Sequence, residues 1–383
     1  MTATYRPSAQ RLGHAKRVVV KIGSALLVDD ETGRLKRAWL DALADDVAKM
    51  RSRGQEVLIV SSGAIALGSR ALGLKGALKL EEKQAAAACG QIRLAHAYQE
   101  ALARHDLSVA QILLTLDDTE KRRQYLNARS TMNMLLKVGA VPVINENDTV
   151  ATAEIRFGDN DRLAARVTQM VSADCLILLS DIDGLYSADP RRDETARFIA
   201  EVTEITPEIE AMATGSRSGV GRGGMPTKLM AARISLEAGA FVAIADGRPP
   251  NALEALAQGQ RCTWFVPKAN PKAARKQWIE AALMPRGALV IDAGAAQALA
   301  QGKSLLPAGV THIEGSFERG DAVIVRDAQG AEIGRGLIAY GDADARRIMG
   351  HKSREIEALL GYRGRDEMIH RDDLVLGSGK KGR

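Results

Sequence analysis

Aromatic residues make up only 4% of the sequence, too few rings for a surface that binds by stacking bases. Cysteine is as sparse: Cys89, Cys175 and Cys262 stand far apart, at spacings that fit neither a disulfide framework nor a zinc site. The six histidines do not cluster and no HExxH occurs, which argues against a zinc hydrolase. No apolar run nears the ~18 residues of a membrane span. The opening stretch MTATYRPSAQRLGHAKR has no apolar core of a secretion signal. No membrane and a cytoplasmic location are therefore expected. Neither sign of charge dominates: 53 Lys and Arg face 47 Asp and Glu, mostly interspersed. The net charge of +6 reads as a solvated mixed surface, although an anionic ligand such as a nucleotide needs only a local basic cluster.

Hydrophobic residues, by contrast, reach 46%, and 36 glycines occur without a collagen period. The first supports a sizeable core; the second suggests places where backbone approaches a ligand. A length of 383 residues suggests two or three domains, at roughly 100–200 residues each. Short apolar runs recur at 17–22, 57–60, 109–114, 141–144, 175–179 and 241–244. They are rich in β-branched residues and apolar on both faces, as buried parallel strands are. Between the first two, Leu40, Leu43, Val47 and Met50 repeat at helical spacing and Gly54 follows as a stop. Further helices are predicted over 84–104, 126–138, 161–171 and 227–238. The expected fold is α/β: a mainly parallel open sheet with helices on both faces, followed by a small β-rich domain. The predicted divisions are a catalytic domain over 1–263, a linker over 264–285 with a short helix near 275–282, a second domain over 286–364, and a C-terminal tail over 365–383, disordered from Leu376. Within the second domain, 320–340 reads as two strands about a turn at 327–330.

Two phosphate signatures mislead. The stretch from Gly219 to Gly224 fits GxGxxG, but a polar, helix-like segment precedes it rather than a strand. Gly302-Lys303-Ser304 resembles the end of a Walker A loop, yet the earlier glycine it requires is Gln297. Better candidates lie at the carboxyl ends of the inferred strands, where open α/β sheets bind ligands. Lys21-Ile22-Gly23-Ser24 puts an ammonium beside a glycine, or is simply a solvated strand end. Ser61-Ser62-Gly63-Ala64 opens a helix whose free N–H groups suit an anion, or is an ordinary cap. The run Asn145 to Asp161 gathers Glu146, Asp148, Glu154, Asp159 and Asp161 against Arg156 alone; interleaved asparagines and a glycine favour a polar substrate site over a solvated acidic loop. Ser180-Asp181-Ile182-Asp183-Gly184 could orient a ribose or magnesium, or form an Asp-Gly turn. The segment Gly221 to Lys228 opens a helix with glycines, Thr227 and Lys228, which suits a phosphate cradle as well as a flexible linker.

Taken together, VVVKIGS, VSSGAIALG, LNAR (126–129), VPVINENDTVATAEIRFGDND, DIDGLYSADPR and GGMPTK resemble the amino acid kinase family over nearly the whole chain. The C-terminal SLLPAGV (304–310) and GDAVIV resemble a PUA domain. The resemblance implies ATP-dependent phosphorylation of the side-chain carboxylate of L-glutamate to L-glutamyl 5-phosphate, the first step of proline biosynthesis. By position it implies ATP phosphate contacts for Lys21 and Lys228. It places Ser180, Asp181, Arg222, Gly223, Gly224, Met225, Pro226, Thr227 and Lys228 around the nucleotide. It assigns glutamate to Ser62, Asp148 and Asn160. Asp161 joins Lys21 and Lys228 as a catalytic candidate. Arg156 and Pro226 depart from common family choices, lysine being frequent at the first, which leaves the role of Arg156 open. Mg²⁺ is expected to be held by phosphates and water, with no dedicated protein metal site. A homo-oligomer, feedback inhibition by proline and a glutamyl-phosphate reductase as pathway partner are also implied. The contrasting reading is an RNA-binding protein acting through the PUA-like region, against which its balanced charge and few aromatics count.

Overall fold

The computed structural model describes residues 7–29, 31–150, 159–214, 224–271, 273, 274, 276 and 284–377. The chain divides into two compact units, residues 1–271 and 272–383.

The first unit is built on strands β1 (Arg17–Ile22), β2 (Glu56–Ser61), β3 (Val109–Leu114), β4 (Val141–Glu146), β5 (Cys175–Ser180), β6 (Leu185–Tyr186), β7 (Phe198–Ile199), β8 (Glu201–Val202), β9 (Phe241–Asp246) and β10 (Cys262–Phe265). Eight form one sheet in the order β3-β4-β2-β1-β5-β9-β10-β8, while β6 and β7 pair apart from it. The five strands from β4 through β9 in that order are parallel neighbours, as is β3 beside β4; β10 alone runs antiparallel to β9. The six apolar runs of the sequence are the six parallel strands. Alternation along each strand feeds two cores, one per face. On β1, Val18, Val20 and Ile22 enter one cluster and Val19 the other. On β5, Cys175, Ile177 and Leu179 face one way, and Leu176 and Leu178 the other.

The helices follow from their apolar stripes. They are α1 (Pro7–His14), α2 (Ser24–Leu27), α3 (Arg37–Ser52), α4 (Ala64–Ala71), α5 (Leu80–Ala103), α6 (Leu116–Glu120), α7 (Arg122–Lys137), α8 (Asp159–Val171), α9 (Pro207–Thr214), α10 (Met225–Glu237) and α11 (Ala252–Ala257). In α3 the buried residues include Leu40, Leu43, Val47 and Met50, the stripe read from the sequence. The α4–α5 contact has another basis. A Cβ on Gly68 would stand 1.7 Å from the carbonyl oxygen of Ala86, and one on Gly90 1.7 Å from that of Ala64. The two helices cross with backbone against backbone, which only glycine permits at both points.

Several expectations need correction. β3 was expected to be buried on both faces, but it is a sheet edge and most of its residues are partly exposed. The catalytic domain does not stop at 263, inside β10: Trp264 and Phe265 complete that strand and are fully buried. A four-residue strand followed at once by Pro267 reads in sequence as the start of a linker. The predicted helix near 275–282 falls largely outside the described residues, as does the tail from 378 onward.

The second unit holds a five-stranded sheet, β12-β11-β13-β14-β15, from β11 (Gly287–Ile291), β12 (Val310–Gly315), β13 (Ala322–Arg326), β14 (Glu332–Leu337) and β15 (Leu374–Leu376). β13 and β14 are the predicted hairpin, and Gly330 takes φ +82° in its turn. The unit does not end at 364. Met368 and Ile369 are fully buried, and β15 pairs with β14. A three-residue strand beside 3₁₀ turns carries too little pattern to separate it from a tail.

Candidate active site

Buried polar side chains collect at one edge of the large sheet. Lys21, Ser61, Asn145, Glu146, Asp148 and Ser180, all at or just past the carboxyl ends of β1, β2, β4 and β5, are buried, as are Asp161 and Lys228. Such groups leave water only when paired or when a ligand is to be met.

Strand alternation turns Lys21 to the same face as Val19, where α8 and α10 pack. There its Nζ lies 2.7 Å from Oδ1 of Asp161, in the first turn of α8. Lys228, in the first turn of α10, places Nζ 3.4 Å from Oδ2 of the same carboxylate. Thr227 donates its hydroxyl to that Oδ2 at 2.7 Å and is also 2.8 Å from the carbonyl of Gly224, which caps α10. Burial alone would push the Asp161 carboxyl up. The ammoniums of Lys21 and Lys228, with the Thr227 hydroxyl, override it and hold the group down at about 2. Lys228 moves the opposite way from a salt-bridged lysine: burial lowers it, Asp161 partly restores it, and Lys21 lowers it again. Two buried ammoniums therefore meet on the one carboxylate of Asp161. Backbone comes close as well, since a Cβ on Gly23 would stand 3.9 Å from Lys21 Nζ.

A second cluster adjoins through α8. The amide of Asn160 donates to Ser62 Oγ at 2.9 Å, to Asn145 Oδ1 at 3.1 Å and, longer, to the carbonyl of Ser61 at 3.4 Å. Among the described residues, its own buried Oδ1 has no hydrogen-bond partner. Ser62 is fixed by its backbone, whose N–H donates to Ile22 O at 3.1 Å. Gly63 follows at φ +108°, a left-handed turn that lets α4 begin at once. Asp148 is buried just past β4.

On the other side, Ser180 ends β5 and its hydroxyl donates to Asp181 at 3.2 Å; Asp181 also pairs with Arg191 at 2.8 Å. Burial raises the Asp181 carboxyl, but Arg191 outweighs it and the net direction is down. Gly224, Met225 and Pro226 form the cap and first positions of α10. Arg222, Gly223 and Arg156 lie outside the described residues, as does the side chain of Asp159. Among the described residues, no group of three or more His, Cys, Asp or Glu is placed to hold a metal ion. No helix among them is long and apolar enough to cross a membrane.

Residues 16–246 match the sequence profile of the amino acid kinase family. The chain belongs to the amino acid kinase family. Residues 287–360 match the PUA domain, so an amino acid kinase domain is followed by PUA. The chain is 67% identical to the glutamate 5-kinase of Paramagnetospirillum magneticum over 95% of its length and 99% of that protein. It is 61% identical to the glutamate 5-kinase of Rhodospirillum rubrum over 94% of its length and 96% of that protein. With the glutamate 5-kinase of Sinorhizobium fredii it shares 58% identity over 98% of its length and 95% of that protein.

Sequence reasoning named Lys21, Ser62, Asn160, Asp161, Thr227 and Lys228, and the structure brings these into two touching clusters. It gave no part to Asn145 or Tyr98. Asn145 stood at the head of the acidic run, where its neighbours' charges drew attention. Tyr98, inside α5, carries no local signal, because only the fold sets it beside Ser61.

Proposed function

We propose that this amino acid kinase transfers the γ-phosphoryl group of ATP to the side-chain carboxylate of L-glutamate, giving L-glutamyl 5-phosphate and ADP. This reaction opens proline biosynthesis. The observation that carries the reading is the shared carboxylate: Lys21 and Lys228, from β1 and α10, both reach Asp161.

The chemistry needs cations brought together. A glutamate carboxyl has a pKa near 4.3 and is ionised at neutral pH, so no general base is required. The barrier lies instead in driving one anion against another. A carboxylate oxygen forms a bond to the γ-phosphorus while the bond from that phosphorus to the β–γ bridging oxygen breaks. The electron pair leaves with ADP. Lys21 and Lys228 would neutralise charge on the transferring group, fixed in advance by Asp161 and Thr227. At the start of α10 the backbone N–H groups of Gly224 and Met225 would face the phosphates; Pro226 has none, and those of Thr227 and Lys228 donate to the carbonyl of Gly224. Arg222 and Gly223 precede it in the nucleotide segment. Ser180 and Asp181 would flank the nucleotide.

Glutamate would occupy the Asn160 side. The buried Oδ1 of Asn160, without a partner among the described residues, would accept a hydrogen bond from the substrate, and Asp148 supplies a carboxylate for the α-ammonium. An N-acetylated substrate would forfeit that attraction. Mg²⁺ suits the same donor set only as a companion of the triphosphate, because both oxygens of Asp161 are already engaged. Bound there, it would neutralise further phosphate charge. The wider reading includes a cytoplasmic homo-oligomer, inhibition by proline, and a reductase that consumes the acyl phosphate.

The test is incubation with ATP, Mg²⁺ and L-glutamate in the presence of hydroxylamine. γ-Glutamyl hydroxamate and glutamate-dependent ADP are expected; the absence of both overturns the reading.

A further inference from the structure

The Ser62 side of the site rests on a buried contact from a distant helix. Gln91, Leu94 and Tyr98 lie on the inward face of α5, and Tyr98 is fully buried. Its phenol oxygen is 2.9 Å from Ser61 Oγ, and Ser61 is itself fully buried. Ser61 in turn donates its hydroxyl to the carbonyl of Ser62 at 3.2 Å. That leaves the phenol as donor to Ser61, and burial, which pushes Tyr98 above its ordinary range, keeps the proton in place.

Both residues secured by this relay are ones that Asn160 touches: the carbonyl of Ser61 at 3.4 Å and the hydroxyl of Ser62 at 2.9 Å. The same helix meets α4 at the Gly68–Gly90 crossing, so α5 bears on the turn between β2 and α4 from two directions. Only the Tyr98 hydroxyl does so by a bond that one atom can remove.

We propose that Tyr98 is a positioning residue for substrate binding: through Ser61 it fixes the β2–α4 turn so that Ser62 meets Asn160 in the geometry that receives glutamate. Tyr98 touches neither of the two lysines nor Asp161 in any hydrogen bond of the structure, so its influence falls on the acceptor and not on the phosphates. The proposal rests on the reading of Ser62 and Asn160 as the glutamate side.

The experiment compares Tyr98→Phe, Ser61→Ala, their double variant and Ser62→Ala in the full-length protein, with KM for glutamate, KM for ATP and kcat measured for each. Loss of one neutral hydrogen bond predicts a roughly 3- to 10-fold rise in glutamate KM for Tyr98→Phe, with ATP KM unchanged and kcat within about twofold. The double variant should match Ser61→Ala, which removes both bonds of the relay, so that Tyr98→Phe adds nothing on that background. A merely structural Tyr98 would lower the active fraction, and hence kcat, with both KM values unmoved; that result overturns the proposal. So does additivity in the double variant. If Ser62→Ala raises glutamate KM while Tyr98→Phe and Ser61→Ala do not, the positioning role fails and the substrate reading stands. If Ser62→Ala leaves glutamate KM unchanged, the substrate reading itself fails. Should Tyr98→Phe not fold, Ser61→Ala breaks the relay from its other end and decides the matter alone.

Discussion

Lys21 and Lys228 reach opposite oxygens of one carboxylate, Lys21 Nζ at 2.7 Å from Oδ1 of Asp161 and Lys228 Nζ at 3.4 Å from Oδ2. Burial works against the charge of both partners, and each charge offsets part of that penalty for the other.

Asp161→Asn removes the carboxylate that both buried ammoniums reach. Breaking a buried pair from one side costs about 3–5 kcal/mol, and a comparable loss is expected in urea unfolding. In the wild type the pair's contribution is intact above the ordinary carboxyl value of 3.8 and disappears as pH falls toward about 2. The variant should lack this acid-dependent part. A loss below about 1 kcal/mol would mean that the lysines escape to solvent.

Lys228 is held below the ordinary lysine value of 10.5, and its charged form is the one that serves phosphate. Activity should therefore fall on the alkaline side at a lower pH than an ordinary lysine would dictate. Asp161 raises Lys228, so removing its charge should move that limb lower still. A pH profile of kcat/KM for ATP, which reports the free enzyme's groups, in wild type and in Asp161→Asn decides; a limb that moves up in the variant contradicts the assignment.

Gly90→Ala tests the helix crossing. Alanine is the better helix former by about 1 kcal/mol, so propensity predicts stabilisation. The new Cβ, however, would lie 1.7 Å from Ala64 O, and overpacking of this kind costs about 1–3 kcal/mol. A lower melting temperature is expected, together with a higher glutamate KM as α4 is displaced. A higher melting temperature would show that the helices part freely.

Asp148→Asn keeps the shape of a buried side chain and removes its charge. A charge-assisted hydrogen bond is worth about 1.5–3 kcal/mol, so glutamate KM should rise roughly 10- to 100-fold with ATP KM little changed. N-Acetylglutamate, lacking the ammonium, should be penalised less. A rise confined to ATP would move Asp148 to the nucleotide side.

Truncation after Pro271 should leave a folded kinase domain with measurable transfer activity. The two cores of the large sheet draw only on residues up to Phe265, and the core of the second unit begins at Leu289. Complete inactivity of a folded, truncated protein would contradict this.

The parallel strands were legible because each is a short apolar run, buried on both faces except in β3 at the sheet edge, and the chemistry was legible because polar residues stand where those runs stop. Lys21 follows Val18–Val20, Ser62 follows Val57–Val60, and Asn145 follows Val141–Ile144. Less was legible where position depends on partners far along the chain. Trp264 and Phe265 belong to a strand only because β9 is there to pair with it antiparallel. β15 exists only beside β14. Gly68 and Gly90 look like two unremarkable glycines in helical stretches until α4 and α5 are brought together. The shared carboxylate was half visible: all three residues were candidates, but their mutual contact is a property of the fold.

The meeting of Lys21 and Lys228 on Asp161 also ties nucleotide binding to folding. The two lysines come from β1 and α10, far apart in sequence, and only the folded chain sets them side by side. A triphosphate that needs both therefore recognises the native state alone, so occupancy and stability become one linked equilibrium.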